Sequence, residues 1–90
     1  MVLINFMVFD ECENVTNPVA YDGDEIIETF LKEYVKKYTE YESLDPKIYV
    51  FKNGLKILNS KKFLSDKIGA HINEGAQITF LRKMGLHYSI

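Results

Sequence analysis

Few residues in this 90-residue chain could carry out covalent or metal chemistry. The one cysteine, Cys12, lies in the stretch DECEN between acidic neighbours. Because negative neighbours disfavour the reactive thiolate, we expect Cys12 to be a loop residue and not a nucleophile. The two histidines, His71 and His87, have no second cysteine and no carboxylate motif around them, so their spacing does not predict a metal site.

The carboxylates also lack the spacing of a catalytic or calcium-binding motif. Asp10, Glu11 and Glu13 surround the cysteine without the glycine and the spaced oxygens of a calcium loop, and the stretch DGDE is typical of a helix start. The sequence contains no Ser/His/Asp set, no P-loop and no dinucleotide-binding glycine pattern. We therefore expect a protein that is not an enzyme and that binds no cofactor and no metal.

Composition narrows the class of protein further. The chain is 47% hydrophobic and 27% charged, which is typical of one folded domain. Its formal net charge of −2 provides no basic surface for nucleic acid. The run MVLINFMVF is apolar but too short to span a membrane, so it is read as a strand. One cysteine cannot form an internal disulfide, and the expected location is the reducing cytoplasm or nucleus.

The first residues predict a β-hairpin. Successive side chains of a strand point to opposite faces of the sheet. In the stretch LINFMVF the polar Asn5 marks the outward face, so Ile4, Phe6 and Val8 are predicted to share the inward face. The stretch VTNPVAY can return beside it as a second strand. Pro18 confines that second strand to an edge of the sheet, because proline cannot donate a hydrogen bond to a neighbour.

The next elements are a helix and a second hairpin. The stretch DGDEIIETFLKEYVKKY has an apolar stripe at helical spacing, and Asp22 with Glu25 has the spacing of a capping box. Asn53-Gly54 between apolar runs predicts a hairpin with a type I′ turn. A long crossing segment follows, with a helical turn expected around residues 64–67.

The stretch AQITFLRK predicts the closing strand, with Ile78 and Phe80 on one face and Thr79 and Leu81 on the other. The element order is therefore β-β-α-β-β-β, which predicts an α+β fold. One helix covers only one face of a sheet, so the second face is left free to bind another molecule.

The stretch IYVFKNGLKILNSKKFLSDKIGAHINEGAQITFLRK resembles the C-terminal half of ubiquitin and its relatives. The letters LSD at 64–66 stand where that family has its LSD turn, and Ile72 matches the isoleucine that follows it. The first half of the chain is similar in element order and hydrophobic pattern only. The resemblance implies a ubiquitin-like β-grasp roll, a mixed sheet packed on one helix, with the domain in residues 1–84 and a short tail in 85–90.

The resemblance also implies a binding surface, because ubiquitin-like domains mostly bind through an apolar patch on the third and fifth strands of the open sheet face. If Asn53-Gly54 is the turn, alternation directs Ile48 and Val50 inward and the two aromatics beside them outward. The alternative is a strand phase shifted by one residue, which would put both aromatics in the core. The predicted partner-binding residues are Tyr49, Phe51, Thr79, Leu81 and Lys83.

Conjugated relatives of ubiquitin usually end on an exposed pair of glycines, and this chain departs from that pattern. Only Gly85 stands in the corresponding stretch, and LHYSI follows it. The bulky neighbours Met84 and Leu86 favour an ordinary tail glycine. Removal of residues 86–90 would nevertheless expose Gly85 as a possible conjugation terminus, and this alternative stays open.

We expect a non-catalytic, monomeric ubiquitin-like interaction module. Its expected partners are other proteins, either ubiquitin-type receptors or domains of the same complex, and neither nucleic acid nor a membrane. Two alternatives remain. One is a conjugatable modifier matured by cleavage after Gly85, and the other is a charge-docking β-grasp scaffold domain that uses Glu40, Glu42 and Asp45. Charge-mediated docking would weaken with salt, whereas an apolar patch would not.

Overall fold

The structure is a computed structural model, and it describes residues 2–39 and 43–83. Within these residues the chain forms β1 Leu3–Asp10, β2 Val15–Asp22, α1 Ile27–Tyr38, β3 Tyr49–Asn53, β4 Lys56–Ile57, α2 Ile68–His71 and β5 Gln77–Arg82. The predicted order of one helix and five strands is confirmed, and α2 is a short additional helix. The predicted boundary between residues 84 and 85 lies outside the described residues.

The strands form one mixed sheet in the order β2-β1-β5-β3-β4. The hairpin of β1 and β2 is antiparallel, β5 runs parallel to β1 and antiparallel to β3, and β4 pairs with β3. β2 therefore lies at an edge of the sheet, as Pro18 predicts. The two halves of the chain meet where β5 inserts between β1 and β3.

One face of the sheet, called here the inner face, packs against α1. Phe6 and Val8 of β1 point to this face, as alternation predicts, and they are buried with Ile78 and Phe80 of β5. The ring of Phe6 meets that of Phe30 on α1 edge to face, with centroids 5.3 Å apart. Removal of this apolar surface from water is the main force that holds the helix on the sheet.

The helix begins later than the sequence predicts, and the predicted capping box is wrong. The N-cap residue is Ile26, which makes no side-chain capping hydrogen bond. Asp22 lies four residues before it and uses its Oδ1 to accept a hydrogen bond from the N–H of Asp24, 2.9 Å away. Asp22 thus stabilises the turn after β2, because short polar side chains also favour turns of this kind.

The start of α1 is instead capped by the LSD turn. The N–H of Ile27 donates to the carbonyl oxygen of Asp66 at 2.9 Å, and the N–H of Glu28 donates to that of Leu64 at 3.0 Å. These bonds satisfy donors that the first turn of a helix leaves unpaired. The segment that resembles ubiquitin therefore positions the helix on the sheet.

The turn between β3 and β4 is displaced by one residue from its predicted position. Asn53 pairs with Lys56, so the two loop residues are Gly54 and Leu55. Gly54 has a φ of +64°, and Leu55 is not in the left-handed region. Glycine at the first loop position with an ordinary second residue is typical of a type II′ turn, not of the predicted type I′ turn.

The side chain of a buried asparagine, Asn59, makes hydrogen bonds to the β3 backbone beyond the end of the short strand β4. Asn59 is 1% exposed, and its Oδ1 accepts a hydrogen bond from the N–H of Phe51 at 3.1 Å. Its Nδ2 donates to the carbonyl oxygens of Leu44 at 3.1 Å and Tyr49 at 3.0 Å. Buried backbone groups need such partners, so Asn59 fixes β3 where β4 has already ended.

The crossing segment is more ordered than expected. The helical turn predicted at residues 64–67 lies four residues later, as α2. Gly69 of α2 lies against Gly23, and its N–H donates to the carbonyl oxygen of Gly23 at 2.9 Å. A Cβ on Gly69 would lie 3.1 Å from that oxygen, so the close approach favours glycine. Neither helix in residues 2–39 and 43–83 is long and apolar enough to cross a membrane.

Candidate functional site on the outer sheet face

The structure places Tyr49 and Phe51 in the core, which contradicts the predicted exposed patch. Both side chains are 0% exposed. The Phe51 ring stacks on that of Phe80, with centroids 4.7 Å apart and planes at 10°. The Tyr49 hydroxyl donates a hydrogen bond to the carbonyl oxygen of Ser43, and burial raises the pKa of Tyr49 to about 12.

The cause of this error is the displaced β3–β4 turn. A strand has a side-chain period of two, so a one-residue shift moves every side chain to the other face. The space between the sheet and α1 is filled by large aromatic rings, including that of Tyr34, which meets Phe51 edge to face at 5.5 Å. A β-branched side chain such as that of Val50 would leave a cavity there, and protein interiors contain few cavities.

The other half of the predicted patch has the predicted orientation. Thr79 and Leu81 alternate with buried residues of β5, lie on the face opposite α1 and are partly exposed. Lys83, directly after β5, is exposed. Val50 of β3 lies opposite Leu81 and is buried. The part of β5 that was expected to contact a partner is therefore accessible, whereas β3 contributes little.

The first strand supplies apolar side chains that the sequence reasoning did not include. Met7 and Phe9 alternate with buried neighbours and so point to the outer face, the face opposite α1. The register sets Phe9 beside Thr79 and Met7 beside Pro18. We call the following five residues the outer-face patch: Met7, Phe9, Pro18, Thr79 and Leu81. Accessible apolar groups gathered on one face are typical of interaction surfaces.

Two shallow hollows adjoin Met7. One has a volume of about 390 Å³ and lies between Met7, Pro18 and Ala20, with the loop at Glu74 and Gly75 on its other side. The second, of about 240 Å³, is lined by Met7, Phe9, Thr16, Gln77 and Thr79. Small-molecule sites are clefts of about 300–1,000 Å³ that bury most of the ligand, so these hollows lie at or below the lower end of that range.

The free edge of β2 is less suited to a partner, because Pro18 interrupts it. The N–H of Met7 donates to the carbonyl oxygen of Ala76 at 3.0 Å, so the Met7 backbone points away from β2. The pair of Met7 and Pro18 is therefore a non-hydrogen-bonded pair, and the Pro18 backbone faces the open edge. A strand added there would find no donor at the middle of β2.

The remaining candidate residues contribute no further site. Gly85, Glu40 and Glu42 lie outside the described residues, so the conjugation terminus and the acidic docking surface stay predictions. The Oδ1 of Asp45 accepts a hydrogen bond from the N–H of Lys47 at 2.9 Å and supports a local turn. Cys12 is exposed in the turn between β1 and β2. Among the described residues, no three His, Cys, Asp or Glu side chains are grouped to hold a metal ion.

The fold has a counterpart among solved structures. It matches the solution NMR structure of the ubiquitin-like domain of an Arabidopsis thaliana protein with a TM-score of 0.67 and 15% sequence identity, over 92% of this chain and 80% of that one. No protein-family model and no curated protein matches the chain. At this identity the similarity establishes the fold alone. The chain has the ubiquitin-like β-grasp fold, and the fold class expected from the sequence is confirmed.

Proposed function

We propose that this ubiquitin-like domain is a non-catalytic interaction module that binds a partner protein through the outer-face patch. The ubiquitin-like fold is generally a non-catalytic one. The observation that carries the proposal is the gathering of Met7, Phe9 and Leu81 on the face opposite α1, with Thr79 and Pro18 between and beside them. Within the described residues, both helices contribute their buried side chains to the core on the inner face, so neither covers this patch.

The charges beside the patch indicate the chemistry of the partner. Lys52 lies opposite Thr79 on β3, and Lys83 lies two residues after Leu81, directly beyond the end of β5. Lys52 is thus on the β3 side of the patch, and Lys83 is at the end of its β5 row. We therefore propose a partner segment with apolar side chains over the two hollows and carboxylates beside these two cations. The apolar side chains supply most of the affinity, and the ion pairs orient the segment.

The test compares matched variants that introduce the same charge at two places. Leu81→Glu puts a carboxylate in the outer-face patch. Leu55→Glu puts one on the tip of the β3–β4 turn, where Leu55 is 98% exposed and outside the patch. The wild-type chain and both variants are immobilised, and proteins retained from a cell lysate are quantified by mass spectrometry.

The proposal predicts a protein that the wild type and Leu55→Glu retain equally and that Leu81→Glu loses. Thr79→Arg is a second patch variant and should lose the same protein, since it places a bulky cation between Phe9 and Lys52. A specific partner retained by both patch variants would contradict the proposal. Circular dichroism of each variant confirms that the fold is intact.

A further inference from the structure

A lysine, a histidine and an aspartate are in contact at the β4 edge of the sheet. The Nζ of Lys56 lies 3.1 Å from the Nδ1 of His71, and the Nε2 of the same ring lies 2.6 Å from the Oδ2 of Asp66. Lys56 is in β4, Asp66 in the LSD turn and His71 in α2. The sequence analysis considered His71 only as a metal ligand, because the fold alone brings these three segments together.

The two contacts favour one tautomer of the His71 ring. An ionised carboxylate only accepts hydrogen bonds, so Nε2 carries a proton and donates it to Asp66. The ammonium of Lys56 only donates, so Nδ1 accepts with its lone pair. The geometry therefore favours the tautomer that carries its proton on Nε2 and directs the lone pair of Nδ1 at Lys56.

The ring of His71 is held in place while the amine can be reached. The His71 side chain is 15% exposed, and the ring of Phe63 packs against it with centroids 4.8 Å apart. The Nδ2 of Asn53 donates to the carbonyl oxygen of His71 at 2.7 Å, which anchors its backbone. Lys56 itself is exposed. A fixed base beside an accessible amine is the arrangement that activates a nucleophile.

We propose that Lys56 is a modification site that accepts small acyl groups from thioesters, with His71 as its base and Asp66 as a positioning residue. Nζ forms a bond to the carbonyl carbon, and the bond from that carbon to sulfur breaks. The ammonium loses two protons overall: one passes through Nδ1 of His71 to water, and the other ends on the leaving thiolate. The products are an amide on Nζ, a free thiol and one released proton.

Other lysines of the same chain provide internal controls. The Nζ of Lys32 lies 3.6 Å from a carboxylate oxygen of Glu28, and that of Lys67 lies 3.5 Å from one of Asp24. The partner of each of these two ammonium groups is a carboxylate and not an imidazole nitrogen, which is the partner of Lys56. Lys32 and Lys67 are about as accessible as each other, at 61% and 63% exposure, so exposure alone predicts similar rates for them.

The experiment treats the whole chain with acetyl-coenzyme A as the thioester, at low conversion, and measures the initial acetylation rate of each lysine by peptide mass spectrometry. We expect Lys56 to react at least about tenfold faster than Lys32 and Lys67. This threshold is set below the gain usual for a positioned base, which is roughly 100-fold to 10,000-fold. His71→Gln keeps a hydrogen-bonding side chain but removes the base. In that variant the rate of Lys56 should fall to that of the two control lysines.

Asp66→Asn is the second variant, and it should reduce the Lys56 rate by an intermediate factor because it no longer stabilises the imidazolium. Equal rates for the three lysines in the wild type would overturn the proposal. So would a fast Lys56 whose rate is unchanged in both variants, since that result would mean that exposure alone sets its reactivity. If His71→Gln does not fold, the wild-type rates and Asp66→Asn still decide. The outer-face patch plays no part in this proposal.

Discussion

Replacement of Phe51 by alanine should destabilise the domain severely, because its ring lies at the centre of the aromatic core. Phe51 is 0% exposed and stacks on Phe80 at 4.7 Å. It also meets Tyr34 edge to face at 5.5 Å and Tyr49 at 5.7 Å. A buried Phe→Ala change typically costs about 3–5 kcal/mol, which includes the cavity left behind. That is a large fraction of the roughly 5–15 kcal/mol that stabilises a typical domain.

The assay is urea unfolding followed by circular dichroism, with Leu55→Ala as the matched control. Leu55 is 98% exposed, so its truncation should change the free energy of unfolding by less than about 0.5 kcal/mol. For a domain of this size, the expected loss in Phe51→Ala corresponds to a melting temperature lower by roughly 10–40 °C. A folded Phe51→Ala variant that loses less than about 1 kcal/mol would refute the reasoning, because Phe51 would then lie on the outer face.

Three further predictions concern the edge, a buried amide and a buried hydroxyl. Pro18→Thr restores an N–H at the open edge of β2, so sedimentation velocity should show stronger concentration-dependent self-association than for the wild type. Equal self-association of the two proteins would contradict the role given to Pro18. Asn59→Asp keeps the acceptor for the N–H of Phe51, but it removes both side-chain donors and buries a carboxylate. Urea unfolding should therefore show a free energy of unfolding lower by about 2–4 kcal/mol. A loss below about 1 kcal/mol would contradict the role given to the amide. The pKa of Tyr49 is raised to about 12, above the value of about 10 expected in the unfolded chain. The contribution of its protonated hydroxyl to the free energy of unfolding is therefore complete below about pH 10 and is lost as the pH rises towards 12. Over this range the urea midpoint of Tyr49→Phe should fall less than that of the wild type, and parallel curves would contradict the burial of Tyr49.

The sequence predicts those parts of the fold in which the pattern is local. Alternation around Asn5 assigns the faces of β1 correctly, and Ile78 with Phe80 does the same for β5. Pro18 predicts the edge position of β2 because proline has no backbone N–H to donate to a neighbouring strand. Each of these predictions depends on residues within one element.

The phase of β3 could not be predicted in the same way, because it depended on a single turn. Asn53-Gly54 and Gly54-Leu55 are both acceptable two-residue loops, and the choice between them decides which side chains are buried. The size of Tyr49 and Phe51 was the better signal, since large rings fill the space between α1 and the inner face of the sheet. Alternation in β1 also predicts that Met7 and Phe9 point to the outer face, but the predicted patch was assigned to β3 and β5.

Contacts between distant segments explain the other omissions. The LSD turn caps α1 through backbone carbonyls, which have no residue-specific signature in the sequence. The cluster of Lys56, Asp66 and His71 forms only when β4 and α2 are brought together by the fold. The spacing of these three residues in the sequence matches no known motif, so the sequence alone does not indicate that they are in contact.

The most direct test of the proposed function is a titration of the ¹⁵N-labelled domain with the protein that the wild type retains and Leu81→Glu loses, followed by NMR. If that protein binds the outer-face patch, the largest amide shift changes should occur at Met7, Phe9, Thr79 and Leu81. Changes centred on the hollow between β2 and α1, near Tyr21, Lys37 and Tyr38, would place the partner on another surface and contradict the account.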